Sequence, residues 1–403
     1  MYLTETLRNT TLQGRLRDAA PFALHPHGFA LGWSIMNPFS RRHFIQLGAA
    51  AAVSPFFIAR AQEASQKKLG VALLGLGDYS TNQLGPALKQ TKNARLAGIV
   101  TGSPEKIPKW QKEYEIPDGN IYNYQNFDTI ADNKDIDIVY VVTPTALHPE
   151  FTIRAAQAGK HVICEKPMAP TTADCMRMIE AVKKAGKTLQ IGYRLHWDPN
   201  HMRLMDAMKK KEFGDWKSIS TANGSVMKSF TGLNAWRIGK DLGIAGALYD
   251  MGVYCVQGSL YTAGMNPVSV TAKHFTDRPE IFKEVPETYE WVLEFADGRK
   301  AEGTSSYGRQ GNFLRAVVEK GVVEIAPGYN YGGGPKGRTP DGEMNFGPVN
   351  QQALQIDGQV ASILAGTPSL VPGEMGARDI QVINGIIEAA ETGKAFTFGK
   401  FPY

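Results

Sequence analysis

The chain has 403 residues, 43% of them hydrophobic and 21% charged, with 42 glycines and 23 prolines: a globular composition with room for two domains and a sizeable core. Its formal net charge of +5 gathers at one end, because residues 1–61 hold six of the 44 Lys and Arg against two of the 39 Asp and Glu. The remaining 38 cations face 37 acids, which leaves no basic stripe and argues against a nucleic-acid partner.

The leader explains that asymmetry. Ser40-Arg41-Arg42-His43-Phe44-Ile45 follows the twin-arginine export pattern. An apolar run from Leu47 to Ala59 comes next, too short to span a bilayer as a helix. Ala59-Arg60-Ala61 then sets small residues where a signal peptidase cuts, with a mature start near Gln62. Met36 would open a conventional leader, so residues 1–35 read as a mis-assigned start. The expectation is a periplasmic protein exported in folded form by the twin-arginine machinery, with no stable membrane anchor after cleavage. Cys164, Cys175 and Cys255 are odd in number and read as small hydrophobes. The eight histidines show no ligand spacing, so no metal is expected.

From 62 to 192 short apolar runs alternate with amphipathic stretches, the pattern of βαβ units on a parallel sheet. Strands are expected at Leu69–Leu74, Arg95–Val100, Ile136–Val142, His161–Cys164 and Thr188–Gly192. Helices are expected at Asn82–Lys89, Pro149–Ala158 and Thr172–Ala185, with Gly159 ending the second and Thr171 or Thr172 capping the third. Beyond 193 the period changes. Helices at about Asn200–Lys211 and Ala247–Tyr261 flank a strand starting at Trp216. Strands at Val268–Phe275, Thr288–Phe295, Arg299–Ser306, Leu314–Glu319 and Gly321–Ile325 follow, joined by turns such as Asp297-Gly298. Residues 327–348, with Tyr329 and Tyr331, read as one long loop, and a last helix at Gly373–Thr392 closes the chain. The fold class is thus α/β: a Rossmann dinucleotide-binding domain over 62–192, then an α+β domain over 193–403 with a large, mostly antiparallel open sheet.

Gly75-Leu76-Gly77-Asp78-Tyr79-Ser80 directly follows the first strand and opens a helix. Glycines there let backbone N–H groups approach a pyrophosphate at a helix N-terminus. Ser80 replaces the third small residue. The second strand ends Val100-Thr101-Gly102-Ser103-Pro104-Glu105-Lys106, without the acid that would hold a ribose 2′-hydroxyl. Thr101, Ser103 and Lys106 suit a 2′-phosphate instead, which favours NADP over NAD. Thr143 and Pro144 stand at the carboxyl end of another strand, where ligands of such sheets bind.

Glu165-Lys166-Pro167 ends a further strand on the same edge, and Pro167 stops that strand so the preceding side chains enter the crevice. Asp250 and Tyr254, four apart, are expected on one face of a helix. Together with the glycine turn, these motifs resemble the glucose–fructose oxidoreductase / inositol dehydrogenase family (Gfo/Idh/MocA), over about 62–400 and most closely over 69–260. Tyr at 254, where most dehydrogenase members carry His, resembles the glucose–fructose and aldose–aldose oxidoreductase branch.

The resemblance implies a sugar oxidoreductase that passes hydride between a pyranose C1 and tightly bound NADP, then to a second sugar. It implies Lys166, Tyr254 and Asp250 as the catalytic set, and Glu165 and Lys166 beside the nicotinamide with Gly75, Leu76, Gly77, Tyr79 and Ser80 along the cofactor. Tyr254 would take the hydroxyl proton, its pKa of about 10 lowered by the Lys166 ammonium. Asp250 would orient the sugar, with further contacts from Tyr193, Arg194, Trp236 and Arg237. A dehydrogenase exchanging free NAD(P), a redox-neutral NAD-dependent glycoside hydrolase and a non-catalytic sensor of the same fold are the alternatives. A homodimer or homotetramer is expected, since an open sheet face usually needs a partner.

Overall fold

The computed structural model describes residues 68–332 and 334–403, so the twin-arginine run, the apolar run and the expected mature start lie outside the described residues. The first sheet contains β1 (Leu69–Leu74), β2 (Ala94–Val100), β3 (Ile121–Tyr122), β4 (Ile138–Val141), β5 (His161–Cys164) and β6 (Leu189–Ile191). Its order is 3-2-1-4-5-6 and every pair is parallel. The order reverses between β1 and β4, which opens a crevice at their carboxyl ends. Alternation along β1 divides the core in two: Ala72 and Leu74 join one buried cluster, Val71 and Leu73 the other. Both faces are therefore covered, as a parallel sheet requires.

Local signals place the helices on that sheet. The Thr171 hydroxyl accepts from the Asp174 N–H and caps Thr172–Lys184, as expected. His148–Gln157 begins one residue before the expected helix, with Pro149 in its first turn. The segment after the glycine turn starts at Ser80 with a wide five-residue turn and continues as Gly85–Leu88. Two elements escaped the sequence reading here. β3 is too short to carry a period, and Ile107–Tyr114 buries only Trp110 among charged neighbours.

The second sheet has nine strands: β7 (Trp216–Gly224), β8 (Pro267–Phe275), β9 (Thr288–Phe295), β10 (Lys300–Ser306), β11 (Gly311–Val318), β12 (Gly321–Ile325), β13 (Gly337–Thr339), β14 (Gly342–Met344) and β15 (Phe396–Thr397). In the order 14-13-12-11-7-10-9-8-15, β7 with β10 is the one parallel pair among these strands. The expected long loop over 327–348 is corrected, since it contains the β13–β14 hairpin, whose three-residue strands leave no readable alternation. The helices Val253–Ala263 and Gly373–Thr392 supply Val253, Val256, Ile380 and Ile383 to the core shared with this sheet.

A further helix, Gln351–Ala365, turns back onto the first sheet, where Ile356 and Val360 join Val71, Leu73 and Ile138. Gln351, Gln352, Gln355 and Gln359 are all buried on it. Polar residues thus occupy its inward face, which removed the amphipathic signal. Its backbone register is tied to the sheet by Asp357, whose carboxylate accepts from the N–H groups of Lys92 and Asn93 at 2.8–2.9 Å. All three cysteines are buried and free.

Ile356→Ala would leave a cavity between that helix and the sheet. The expected loss is about 2–5 kcal/mol of unfolding free energy, measured by denaturant titration, against a much smaller change for the exposed Leu364→Ala.

Candidate active site

A cleft of about 430 Å3 runs along the carboxyl edge of the parallel sheet, from the glycine turn to Trp236, Arg237 and Asp250. At one end Gly75 has φ of 100°, and a Cβ there would stand 2.7 Å from the Val142 carbonyl oxygen, so only glycine fits. At Gly77 nothing lies within 4 Å of a Cβ position, which leaves the backbone open to a ligand. Ser80 is fully buried and its hydroxyl donates to the Gly75 carbonyl at 2.6 Å, closing the turn with the small side chain expected. The Lys106 ammonium reaches from beyond β2 to the Leu76 carbonyl at 2.9 Å, and Thr101 Oγ1 accepts from the Ser103 N–H at 3.0 Å.

Leu76, Tyr79, Thr101, Ser103, Lys106, Thr143 and Pro144 all line the cleft. The Thr143 hydroxyl is buried with no hydrogen-bond partner among the described residues. An open glycine turn, a lysine over it and an unpaired hydroxyl fit a dinucleotide with its pyrophosphate on the turn. His148 braces this edge, its ring nitrogens 2.8 Å from the Thr143 carbonyl oxygen and 2.9 Å from that of Pro167.

At the other end Glu165 is buried, accepting from the Tyr140 hydroxyl at 2.6 Å and from the Lys166 N–H at 3.0 Å. Burial raises its carboxyl pKa, and these two donors and the Lys166 charge oppose the rise. Lys166 Nζ donates to the Asp250 carbonyl at 2.8 Å and lies 3.7 Å from Asp250 Oδ1. Asp250 Oδ2 accepts from Arg237 Nε at 2.9 Å and from the Tyr307 hydroxyl at 3.0 Å. Burial alone would raise the Asp250 pKa, but Lys166 and then Arg237 outweigh it and hold the carboxyl below its ordinary value. Arg237 also lies over Trp236, its Cζ 4.7 Å from the ring centroid. Ile244, at φ 61°, turns the chain into this segment from a region that β-branched residues avoid.

Tyr254 requires a correction. Lys166 Nζ lies over its ring, 4.8 Å from the centroid, while its hydroxyl accepts from Arg194 Nε at 3.2 Å. Burial raises the phenol pKa, and Arg194 rather than Lys166 is the cation that opposes the rise. Asp250 falls in a wide turn, Leu248–Gly252, that precedes the regular helix Val253–Ala263. Spacing of four therefore no longer puts both side chains on one wall: Asp250 lines the cleft and Tyr254 does not. Tyr193 and Arg194, expected as sugar contacts, are likewise interior, each 1% exposed. Arg194 Nη2 donates to the Tyr329 carbonyl at 2.6 Å and Nη1 to that of Asn330 at 3.1 Å, because the chain after β6 turns under the loop near 330. Tyr307 and Tyr331 were missed. Tyr307 carries no motif, and Tyr331 was legible only as an aromatic in a Gly-rich loop.

Residues 69–193 match the model of an oxidoreductase family with an NAD-binding Rossmann fold, and residues 201–324 match the GFO/IDH/MocA C-terminal domain. Among solved structures, the chain is similar to aldose-aldose oxidoreductase from Caulobacter crescentus complexed with glycerol. The two are 38% identical with a TM-score of 0.79, over 82% of this chain and 100% of that one. D-xylose 1-dehydrogenase [NADP(+)] of Haloarcula marismortui is 26% identical over 338 residues, 82% of this chain and 93% of the relative. The scyllo-inositol 2-dehydrogenase (NADP(+)) of Bacillus subtilis is 28% identical over 262 residues, 65% of each.

A depressed Asp250 pKa has a consequence for stability. Its contribution is fully present above the ordinary value of 3.8 and is lost as pH falls through the lower folded value. The stability gap between wild type and Asp250→Asn should stay constant from pH 7 down to about 3.8, then shrink as pH falls from there through the lower folded value. Denaturant midpoints at a series of pH values check this, and a gap that closes near neutrality would contradict it.

Proposed function

The chain belongs to the Gfo/Idh/MocA oxidoreductase family, and from that premise we propose that it is an NADP-dependent sugar oxidoreductase acting on the C1 hydroxyl of an aldopyranose. The observation that carries this reading is the Lys166 ammonium, held against Asp250 in the same cleft as an open glycine turn. Gly75, Leu76, Gly77, Tyr79 and Ser80 would hold the nucleotide, with Thr101, Ser103 and Lys106 at its 2′-phosphate and Thr143, Pro144 and Glu165 toward the nicotinamide. When bound, the nicotinamide supplies the hydride acceptor and donor. Names of relatives support NADP, and the Thr101-Gly102-Ser103 run in place of an acid at the end of β2 agrees.

Lys166 Nζ hydrogen-bonds the reacting oxygen and stabilises negative charge there as hydride leaves C1. Asp250 is ionised at neutral pH and holds a neighbouring hydroxyl, fixing which carbon faces the nicotinamide. Tyr254 is a neutral phenol at that pH and stands behind the cleft wall, so a proton it returns to a carbonyl oxygen would pass by way of Lys166, whose Nζ lies 4.8 Å from its ring centroid. To accept a proton in the opposite direction it has to start as the phenolate, the form that the Arg194 Nε–H at its oxygen steadies. Trp236 and Arg237 add an apolar face and a polar fork to the sugar end of the cleft.

The finer reading is that the nucleotide stays bound while two sugars react in turn, in a periplasmic homo-oligomer exported by the twin-arginine route. The leader motif supports export, and export favours a carried cofactor because free nucleotide is scarce outside the cytoplasm. A dehydrogenase with exchanging NADP is the second reading, favoured by the name of the Haloarcula relative. Protein purified without added nucleotide and mixed with excess glucose distinguishes them. A stoichiometric rise in reduced-nicotinamide absorbance, reversed by fructose or a second aldose, is the expected result. A rise only after NADP is added would leave the exchanging enzyme.

Two variants sharpen the test. Lys166→Ala should lower turnover by roughly 10²–10⁴-fold with nucleotide still bound, in single-turnover absorbance traces. Lys106→Ala should weaken NADP binding relative to NAD by roughly ten- to a hundredfold, measured by titration of apoenzyme.

A further inference from the structure

One phenol faces the cleft without belonging to any motif. Tyr331 lines the same cavity as Lys166, Asp250, Trp236 and Arg237, and it is 46% exposed. Large exposed aromatics are ordinarily mobile, yet this one is mounted on a fixed loop. The N–H groups of Gly328 and Tyr329 both donate to Asn312 Oδ1 at 2.7 Å. Asn312 Nδ2 donates to Asn330 Oδ1 at 2.7 Å, and Arg194 holds the carbonyls on either side of that residue's N–H. The ring itself is located by its neighbours. Arg194 Cζ lies 4.3 Å from its centroid, and the ring of Tyr79, from the glycine turn, is 6.1 Å away at 38°. No hydrogen bond within the described residues engages its hydroxyl.

A pyranose has two kinds of surface: a rim of hydroxyls and faces of C–H groups. Lys166, Asp250 and Arg237 supply charged partners for the rim. A rigid, partly desolvated aromatic face is the complement for the C–H side, and rigidity lowers the entropy lost on binding. We propose that Tyr331 is a specificity-determining residue, whose ring forms the platform on which the aldopyranose lies while its C1 oxygen meets Lys166. This inference rests on the sugar oxidoreductase reading above and adds to it the surface that selects a ring-closed sugar. The loop carrying Tyr331 also holds Arg194, so platform and Tyr254 are positioned by the same cation.

Tyr331→Ala, Tyr331→Phe and Tyr331→Leu, each in the full-length chain, separate the ring from the hydroxyl and from apolar bulk. Initial rates against glucose and xylose are read with nucleotide content measured after denaturation. The expected result is a KM raised about tenfold in the Ala and Leu variants, with kcat and nucleotide content within about threefold of wild type. The Phe variant should stay within about threefold throughout. An unchanged KM in both Ala and Leu variants would overturn the platform, as would a Phe variant as impaired as Ala. Wild-type protein whose nucleotide no aldose reduces, with NADP bound or added, refutes the functional reading itself and this inference with it. That outcome is visible before any variant is made.

Discussion

An ammonium group at 14% exposure has lost most of its hydration and has to be met by negative charge, and this constraint orders the site around it. Lys166 is delivered by the end of a parallel strand, while its partner Asp250 comes 84 residues later from a wide helical turn. Asp250 needs compensation in its turn, from Arg237 and Tyr307. Removal of Asp250 would leave both Lys166 and Arg237 without their carboxylate, so the group depends on that one residue. The strained Ile244 fits this picture. The chain accepts an unfavourable backbone there, where it turns toward the carboxylate that the lysine requires.

A second chain of polar contacts supports the first from behind. Gln355 Nε2 donates to the Tyr140 hydroxyl, Tyr140 donates to Glu165, and Glu165 accepts the Lys166 N–H. Gln359 Nε2 donates to the Ile191 carbonyl at 2.8 Å, and Gln351 Nε2 to Asp198 at 2.7 Å. The helix Gln351–Ala365 thus presents amides to the sheet edge where an ordinary helix would present leucines. Gln355 Oε1 has no hydrogen-bond partner among the described residues, but the amide bonds that are made specify one register more sharply than apolar packing does, which suits a helix that braces the strand end carrying Lys166.

This arrangement also shows why sequence reached some parts of the molecule and missed others. β1, β5, β9 and β12 were readable to the residue, because continuous or alternating apolar runs report burial directly. The glycine turn and Glu165-Lys166-Pro167 were readable because their chemistry is local. Helix Gln351–Ala365 was not, since its buried face is written in glutamine. Arg194 was expected as a sugar ligand on the family resemblance, which says nothing of what its side chain touches in this fold. Its partners at 329, 330 and 351 lie more than 130 residues away, beyond any spacing argument. The Lys166–Tyr254 proximity was anticipated, but its geometry was not. A spacing of four in a helix predicts a shared face only if the turn is regular, and here it is not.

The resulting electrostatics constrain how two sugars could react in turn. The cleft that holds the glycine turn also holds Lys166, Asp250 and Tyr331, so the nucleotide and sugar share one opening. If the nucleotide stays, the first product has to leave before the second sugar reaches the same lysine, and both must present their reacting oxygen to it. The proton balance then matters more than any second binding site. Burial keeps the Tyr254 phenol protonated, while the Arg194 charge at its oxygen limits how far that preference goes. On the proposed reading the phenol would give its proton when a carbonyl is reduced and, as the phenolate that Arg194 steadies, take one when an alcohol is oxidised, with Arg194 fixed by the loop that carries Tyr331. Substrate selection and proton transfer would, on that reading, be coupled through a single buried guanidinium.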